Sequence, residues 1–233
     1  MSRKFRNEWK YCCTAADLHI IGSRLGAVLK QDIHSNPNGK YMVHSLYFDD
    51  YKDNAVKAND AGISERTKYR IRCYGDQYDS MRLERKEKAG GRCLKESCPL
   101  STGEYQKIID GNVEEVFWQT EKTLLKQFCI RYMNGYLQPK ALIDFERAAY
   151  VEEITNIRIT LDENISVSDN LSHFTDGDYI RYPIQEKGQH VLEVKFDHIL
   201  PGYIKHIITG RNLIQSSFSK YSLGRKTLQK MGR

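Results

Sequence analysis

The stretch Arg66-Thr67-Lys68-Tyr69-Arg70-Ile71-Arg72-Cys73-Tyr74 alternates cations with hydrophobic residues. In an extended chain successive side chains point to opposite faces. Lys68, Arg70 and Arg72 therefore share one face, and Tyr69, Ile71 and Cys73 share the other. The same spacing recurs in Glu8-x-Lys10, Glu84-x-Lys86 and Glu193-x-Lys195, and the last pair is backed by Leu192, Val194 and Phe196. One alternating strand is an ordinary solvent-facing strand. Four of them, spread along the chain and dominated by cations, predict a sheet or barrel with a wet, charged interior. Cations in excess with a few carboxylates among them suit a polyanion held together with a metal ion.

Outward from this stretch, residues 5–12 are expected to be a strand. Thr14 opens a helix, with Asp17 three residues on as a capping box and Leu18, Ile21, Leu25, Val28 and Leu29 as its apolar stripe. Asn36-Pro37-Asn38-Gly39 marks a turn before a strand at 41–49. Segments 66–74 and 80–88 form a strand pair, and Gly90-Gly91 turns the chain into a strand at 92–97. Ser101 and Glu104 box a short helix that Gly111 stops. Residues 121–136 are helical, with Leu124, Leu125, Phe128 and Tyr132 on one side. Strands follow at 140–150, 156–162 and 190–197, then helices from Leu200 to about Asn212 and after Phe218. Roughly eight strands in antiparallel-like succession with four or five helices predict an α+β protein. The expected architecture is a large antiparallel sheet, possible to close into a barrel, with helices flanking it in one domain over residues 1–233.

The 233 residues are 40% hydrophobic and 28% charged, as in ordinary globular proteins, and the net charge of +6 favours anionic partners. No apolar run approaches the roughly 20 residues that span a bilayer. The basic N-terminus, Met1 to Arg6, lacks the apolar stretch of a signal peptide, so a cytoplasmic location is expected. Cys12, Cys13, Cys73, Cys93, Cys98 and Cys129 form no C-x-x-C pair and are expected to be reduced thiols, and the seven histidines show no zinc-ligand spacing.

The sequence contains no P-loop, no G-x-G-x-x-G, no G-x-S-x-G elbow and no H-E-x-x-H. Phosphates would have to be held by side chains. Arginine suits this because its planar fork takes two phosphate oxygens at once, while lysine acts as a point charge. The inward-pointing candidates are Lys10, Lys68, Arg70, Arg72, Lys86, Lys95, Arg158 and Lys195. A divalent cation would bridge phosphate oxygens to Glu193, with Glu8 or Glu84 as further candidate ligands.

At these residues the chain resembles the catalytic domain of the vacuolar transporter chaperone complex, the eukaryotic polyphosphate polymerase, and its stand-alone bacterial relatives. That domain is a branch of the triphosphate tunnel metalloenzymes. The matching blocks run in order along nearly the whole chain. They are Arg6-Asn-Glu-Trp-Lys10-Tyr, Ser45-Leu-Tyr-Phe-Asp49, Arg66-x-Lys-Tyr-Arg70-Ile-Arg72-x-Tyr74, Leu83-Glu-Arg-Lys86, Phe145-Glu-Arg147-Ala, Arg158-Ile-Thr-Leu-Asp162, Leu192-Glu-Val-Lys195 and Phe218-Ser-Lys220-Tyr-Ser. Each block alone is weak; eight in order are specific.

The resemblance implies an eight-stranded antiparallel β-barrel forming a triphosphate tunnel, in which ATP gives its terminal phosphoryl group to a growing polyphosphate chain. It implies that Lys10, Arg70, Arg72, Lys86, Lys95, Arg147, Arg158 and Lys220 line the tunnel and hold phosphates. Arg70, Arg72, Lys86, Arg147 and Lys220 would be the catalytic cations. Glu193 would ligate Mn²⁺ or Mg²⁺. ATP and polyphosphate are the implied partners, and no nucleic acid is expected. Parity places Arg147 with Ile143 and Phe145, which requires a bulge or faces made partly apolar by covering helices. Asp49 belongs to the pattern without a chemical role. The first position of the N-terminal strand, Arg6, replaces the carboxylate that opens the cyclase and thiamine triphosphatase branch, which favours a longer polyanion over hydrolysis of a short one. A metal-dependent triphosphatase and a non-catalytic polyanion-binding module are the alternatives.

Overall fold

Alternation along each strand builds the molecule. The computed structural model describes residues 6–33, 35–75, 77–90, 92–209 and 213–233. Phe5 of the expected first strand, Gly91 of the expected turn and the 210–212 end of an expected helix lie outside these. The chain runs β1 (Asn7–Thr14), α1 (Ala15–Gly26), β2 (Lys30–Gln31), β3 (Tyr41–Asp49), α2 (Asn54–Asp60), β4 (Arg66–Tyr74), β5 (Gln77–Ala89) and β6 (Arg92–Leu100). Then come α3 (Thr102–Ile109), α4 (Val113–Gln119), α5 (Thr123–Met133), β7 (Gln138–Glu152), β8 (Ile157–Ser168), β9 (Tyr182–Pro183), β10 (Gln189–Phe196), α6 (Gly202–Thr209) and α7 (Lys220–Lys230).

Eight strands form one antiparallel sheet in the order β1-β10-β8-β7-β3-β4-β5-β6, with the two-residue β2 and β9 beside β7 and β8. The sheet curls strongly enough for its edges to meet. Arg6 N–H donates to the Cys93 carbonyl at 3.0 Å, and Cys93 N–H donates back at 3.1 Å. Among the described residues, this bridge from the residue just before β1 closes the sheet onto β6.

Apolar backs of the strands are covered by helices. Tyr69, Ile71 and Cys73 of β4 pack with Leu46, Phe48 and Leu83 beneath Tyr105, Ile108, Val116, Leu125 and Phe128 of α3, α4 and α5. Leu192 and Val194 of β10 pack with Ile159 beneath Leu18, Ile21 and Leu25 of α1 and Ile204 and Ile208 of α6. Both expected capping boxes are present, at Thr14 with Asp17 and at Ser101 with Glu104.

The third cluster lies on the inner side. Tyr221 and Leu228 of α7 pack on Tyr47, Ile143, Phe145 and Val167. The approach is close: a Cβ on Gly224 would fall 2.5 Å from Ile143 Cδ1 and 3.1 Å from Val167 Cγ2. This helix explains the mixed face of β7. Arg147 does share a side with Ile143 and Phe145, because α7 covers the apolar part, and the pairing of β7 with β8 shifts register between Asp144 and Glu146. Asp144 sits on the other side, bonded to His44, Tyr179 and Arg181. All six cysteines are free thiols. No helix among the described residues is long and apolar enough to cross a membrane.

Candidate active site

Inside the curl is a cavity of about 720 Å³. Strands β1, β4, β5, β7 and β10 supply its charged wall, and the segment from Gln215 to Tyr221, leading into α7, covers it. Ten lysine and arginine side chains line it against three acidic ones, Glu8, Asp60 and Glu193. An excess of this size in a curled, partly enclosed space repels itself and suits a multiply charged anion.

Three carboxylates, Asp162 and Glu84 buried and Glu8 partly buried, organise the cations. Asp162 on β8 accepts from Arg147 Nε at 2.6 Å and Nη2 at 2.7 Å, and from Lys220 Nζ at 2.6 Å. Burial alone would raise its pKa, but Arg147 and Lys220 outweigh that and hold it below the usual carboxylate range. Glu84 on β5 accepts from Arg70 Nε and Nη2 at 2.7 Å each and pairs with Lys95. It too is held well below its ordinary value: burial opposes the charge, and Arg70, Arg72 and Lys95 more than offset it. Glu8 on β1 accepts both hydrogen bonds of Lys86, at 2.9 and 2.7 Å, and lies 3.2 Å from Lys10. Lys86 and Glu8 thereby join β5 to β1 across the seam of the sheet.

Glu193 on β10 pairs with Lys195 at 2.7 Å. Burial disfavours its charge less than Lys195, Lys10, Lys220 and Lys86 favour it, so its pKa is lowered. Lys10 is the reverse case. Burial works against its charge, and Glu8 and Glu193 raise its pKa above the ordinary lysine value. For Lys195 and Lys220 burial wins over the carboxylates and their pKa values fall.

Among the described residues Lys68 hydrogen-bonds to neutral oxygens. Its Nζ donates to Asn59 Oδ1 at 3.3 Å and to Ser219 Oγ, the N-cap of α7, at 3.0 Å. Burial among Lys10, Arg66 and Lys86, opposed by Tyr47, brings its pKa down to about 7. Tyr47 on β3 moves the other way for its class. Burial pushes the phenol up, but Arg70, Arg72 and Lys68 bring it down to about 7.

The structure gathers Lys10, Arg70, Arg72, Lys86, Arg147, Lys220, Glu8 and Glu193 of the expected set around the cavity. Lys95 and Arg158 are not among its lining residues. Lys95 is half exposed behind Glu84, and Arg158 is turned to Asp32, 2.5 Å away, and to the Tyr41 hydroxyl at 3.0 Å. Glu84 is likewise not in the lining; it serves as the seat of Arg70. Asp162 and Tyr47 occur in the family-like blocks, yet nothing in their spacing announced a role. Asp49 now has one. Its Oδ2 accepts from the Tyr221 hydroxyl at 3.0 Å, and its Oδ1 accepts from the N–H groups of Asp50 and Ala55, tying the start of α2 to α7.

Among the described residues no group of three or more His, Cys, Asp or Glu side chains is arranged to hold a metal ion. The donors bordering the cavity, Glu8 and Glu193, are hard oxygen ligands. Two carboxylates completed by phosphate oxygens and water are a fitting set for a hard divalent cation.

The VTC domain profile matches residues 5–229. Comparison with the curated proteins finds no match. Among solved structures, HpAC1 from Hippeastrum, a "putative adenylyl cyclase" described as having a dominant triphosphatase activity, superposes with a TM-score of 0.58 at 12% identity over 96% of each chain. A "putative adenylate cyclase" from Bacillus halodurans superposes with a TM-score of 0.54 at 14% identity, over 94% of this chain and 96% of that one. At such identities the likeness establishes the fold, an eight-stranded antiparallel sheet curled around a tunnel-like interior, and no more. Because the VTC profile spans all but the ends of the sequence, the chain belongs to the VTC domain family.

Proposed function

We propose that this protein is a metal-dependent polyphosphate polymerase that transfers the terminal phosphoryl group of ATP to a polyphosphate chain. The observation that carries this reading is the cavity itself: ten cations against three acidic groups inside a curled sheet, in a chain of the VTC domain family. Phosphoryl transfer has a loose transition state, so alignment and charge neutralisation supply most of the catalysis. Arg70, Arg72, Arg147 and Lys220 would grip and align the phosphates, with Lys10 and Lys86 beside them. A terminal phosphate oxygen is already an anion at neutral pH and needs no general base, in keeping with a lining that contains no histidine. Glu193, with Glu8, would hold a divalent cation, Mn²⁺ or Mg²⁺, which would supply positive charge to offset the charge that develops on the leaving group. Arg66 and Lys88 border both the cavity and an adjoining recess of about 410 Å³, which leaves the nucleoside a way out of the charged interior. Dependence on ATP places the reaction in the cytoplasm in this reading.

Hydrolysis of tripolyphosphate or a nucleoside triphosphate is the second reading. It is favoured by one feature, the Glu8 carboxylate bordering the cavity, which could orient a water molecule. Incubating purified protein with ATP and Mn²⁺, with polyphosphate read on a gel beside ADP and free phosphate, separates the two. Long chains with matching ADP support the polymerase. Free phosphate alone supports the triphosphatase. Tight polyphosphate binding with neither product refutes both.

A further inference from the structure

We propose that the phenol oxygen of Tyr47 is a positioning group for the bound polyanion, fixing Arg70 so that the free end of its guanidinium faces the cavity. The inference rests on the polyanion reading of the site. It follows from counting donors. A guanidinium carries five N–H groups. Arg70 gives Nε and Nη2 to Glu84 Oε2, each at 2.7 Å, and Nη1 to the Tyr47 hydroxyl at 2.7 Å. Glu84 thus holds one flank and Tyr47 the other. One N–H on each Nη is left, and together these form the end-on fork that matches two oxygens of one phosphate. With Glu84 alone, the guanidinium would be free to swing about that carboxylate.

Tyr47 is itself held in place. Its ring stacks on Tyr221 with centroids 4.9 Å apart and planes 14° from parallel. The Tyr221 hydroxyl donates to Asp49, which also accepts from the Ala55 N–H at the start of α2. The ring stack and the oxygen therefore do separate jobs, and removing the oxygen alone leaves the packing intact.

The charges around Tyr47 add a second signature. On β4 it faces Lys68, Arg70 and Arg72. On α7 it faces Tyr221, with Lys220 in the same cavity; Arg147 of β7 and Asp60 of α2 line that cavity too, and Glu84 of β5 lies beyond Arg70. Near neutral pH the phenol begins to ionise and becomes an internal counterion to Arg70, and Lys68 begins to lose its proton. Both changes oppose an incoming anion. Affinity therefore falls as the pH rises through about 7, and anion binding takes up protons.

The test is calorimetric titration of the full chain with inorganic tripolyphosphate. Wild type, Tyr47→Phe, Arg70→Ala and the double variant are compared, with Arg70→Lys as a second background that keeps the buried charge. Tyr47→Phe is expected to weaken binding about tenfold, the loss of one hydrogen bond to a charged group, while its melting temperature holds. In the Arg70→Ala background it should cause no further loss, and in the Arg70→Lys background much less. Its decline in affinity between about pH 6 and pH 8.5 should be shallower than that of wild type. An equal loss from Tyr47→Phe in every background, or parallel pH profiles, overturns the positioning role. Failure of the wild type to bind tripolyphosphate at any pH overturns the polyanion reading and this inference together, and so is told apart from failure of the inference alone.

Discussion

Replacing Asp162 by Asn should make the protein less stable and at the same time more avid for polyphosphate. Asp162 is wholly buried and is the shared partner of Arg147 and Lys220, with all three of its contacts between 2.6 and 2.7 Å. Removing one partner of a buried ion pair costs about 3–5 kcal/mol, because the charge left behind is uncompensated. Asparagine keeps the shape and one acceptor oxygen, so the lower end, about 3 kcal/mol, is expected. For a chain of this length that lowers the melting temperature by roughly 6–12 °C. The two cations released from Asp162 face the cavity lining, where a phosphate can replace the carboxylate. Tripolyphosphate should then raise the melting temperature of Asp162→Asn by more than it raises that of wild type, approaching the liganded wild-type value. The pH dependence has a definite sign. The folded-state pKa of Asp162 is depressed, so its contribution is present above the unfolded-state value near 4 and is lost as the pH falls through the lower folded value. The gap between wild type and variant should accordingly narrow below about pH 4. Thermal unfolding followed by circular dichroism, with and without tripolyphosphate, measures all three. A variant that melts within about 2 °C of wild type, or an equal ligand shift in both proteins, would refute the view that Asp162 restrains these cations in place of substrate.

Other expectations are simpler. Glu193→Gln should abolish metal-dependent turnover while largely keeping polyphosphate binding; unchanged turnover with Mn²⁺ removes Glu193 from the ligand set. Arg70→Ala and Arg72→Ala should each weaken ATP and polyphosphate binding about tenfold or more and reduce the salt sensitivity of that binding, as titrations at two ionic strengths would reveal. Gly224→Ala should destabilise the protein by about 1–3 kcal/mol in urea unfolding, since its Cβ would overlap Ile143 and crowd Val167. A neutral Gly224→Ala would mean that α7 sits farther from β7 than described.

The charged interior could be read from β4, β10 and β5 because strand parity needs only the local sequence. Parity says which face a side chain leaves from, and not where along the strand the cavity ends. Arg158 and Lys95 lie on cation-bearing faces, yet Arg158 turns to Asp32 and Lys95 backs Glu84, and neither lines the cavity. Asp162 and Tyr47 were invisible as organisers because their partners are distant in sequence: Arg147 and Lys220 for one, Arg70 and Tyr221 for the other. The helices α2 and α4 went unread for a different reason. Each is seven residues long with no side-chain cap, too short for an apolar stripe to repeat. Both capping boxes lay where cap chemistry put them, but α1 stops at Gly26, so Val28 and Leu29 of its expected stripe lie beyond the helix and Val28 is exposed. The apolar inner face of β7 required knowing that α7 enters the curl, which no local pattern records.

The seam also sets the order of assembly. Strand β1 is made first but pairs along its whole length with β10, from Asn7 opposite Phe196 to Thr14 opposite Gln189. Across the seam, among the described residues, the Arg6–Cys93 bridge ties it to β6 and the Glu8–Lys86 pair ties it to β5. On the ribosome β1 therefore has no lasting partner until about 190 residues have been made. Contacts this far apart in sequence form slowly, because the loop between them must be closed first. Strands β3 to β6, joined by local pairings, can assemble during that interval, and β1 with its glutamate arrives last to complete the ring. Glu8, with Lys10 beside it on the same strand, then reaches Lys86 only at the final step, so a partly made chain would already hold the arginines of β4 but not yet both carboxylates that face the cavity from β1 and β10.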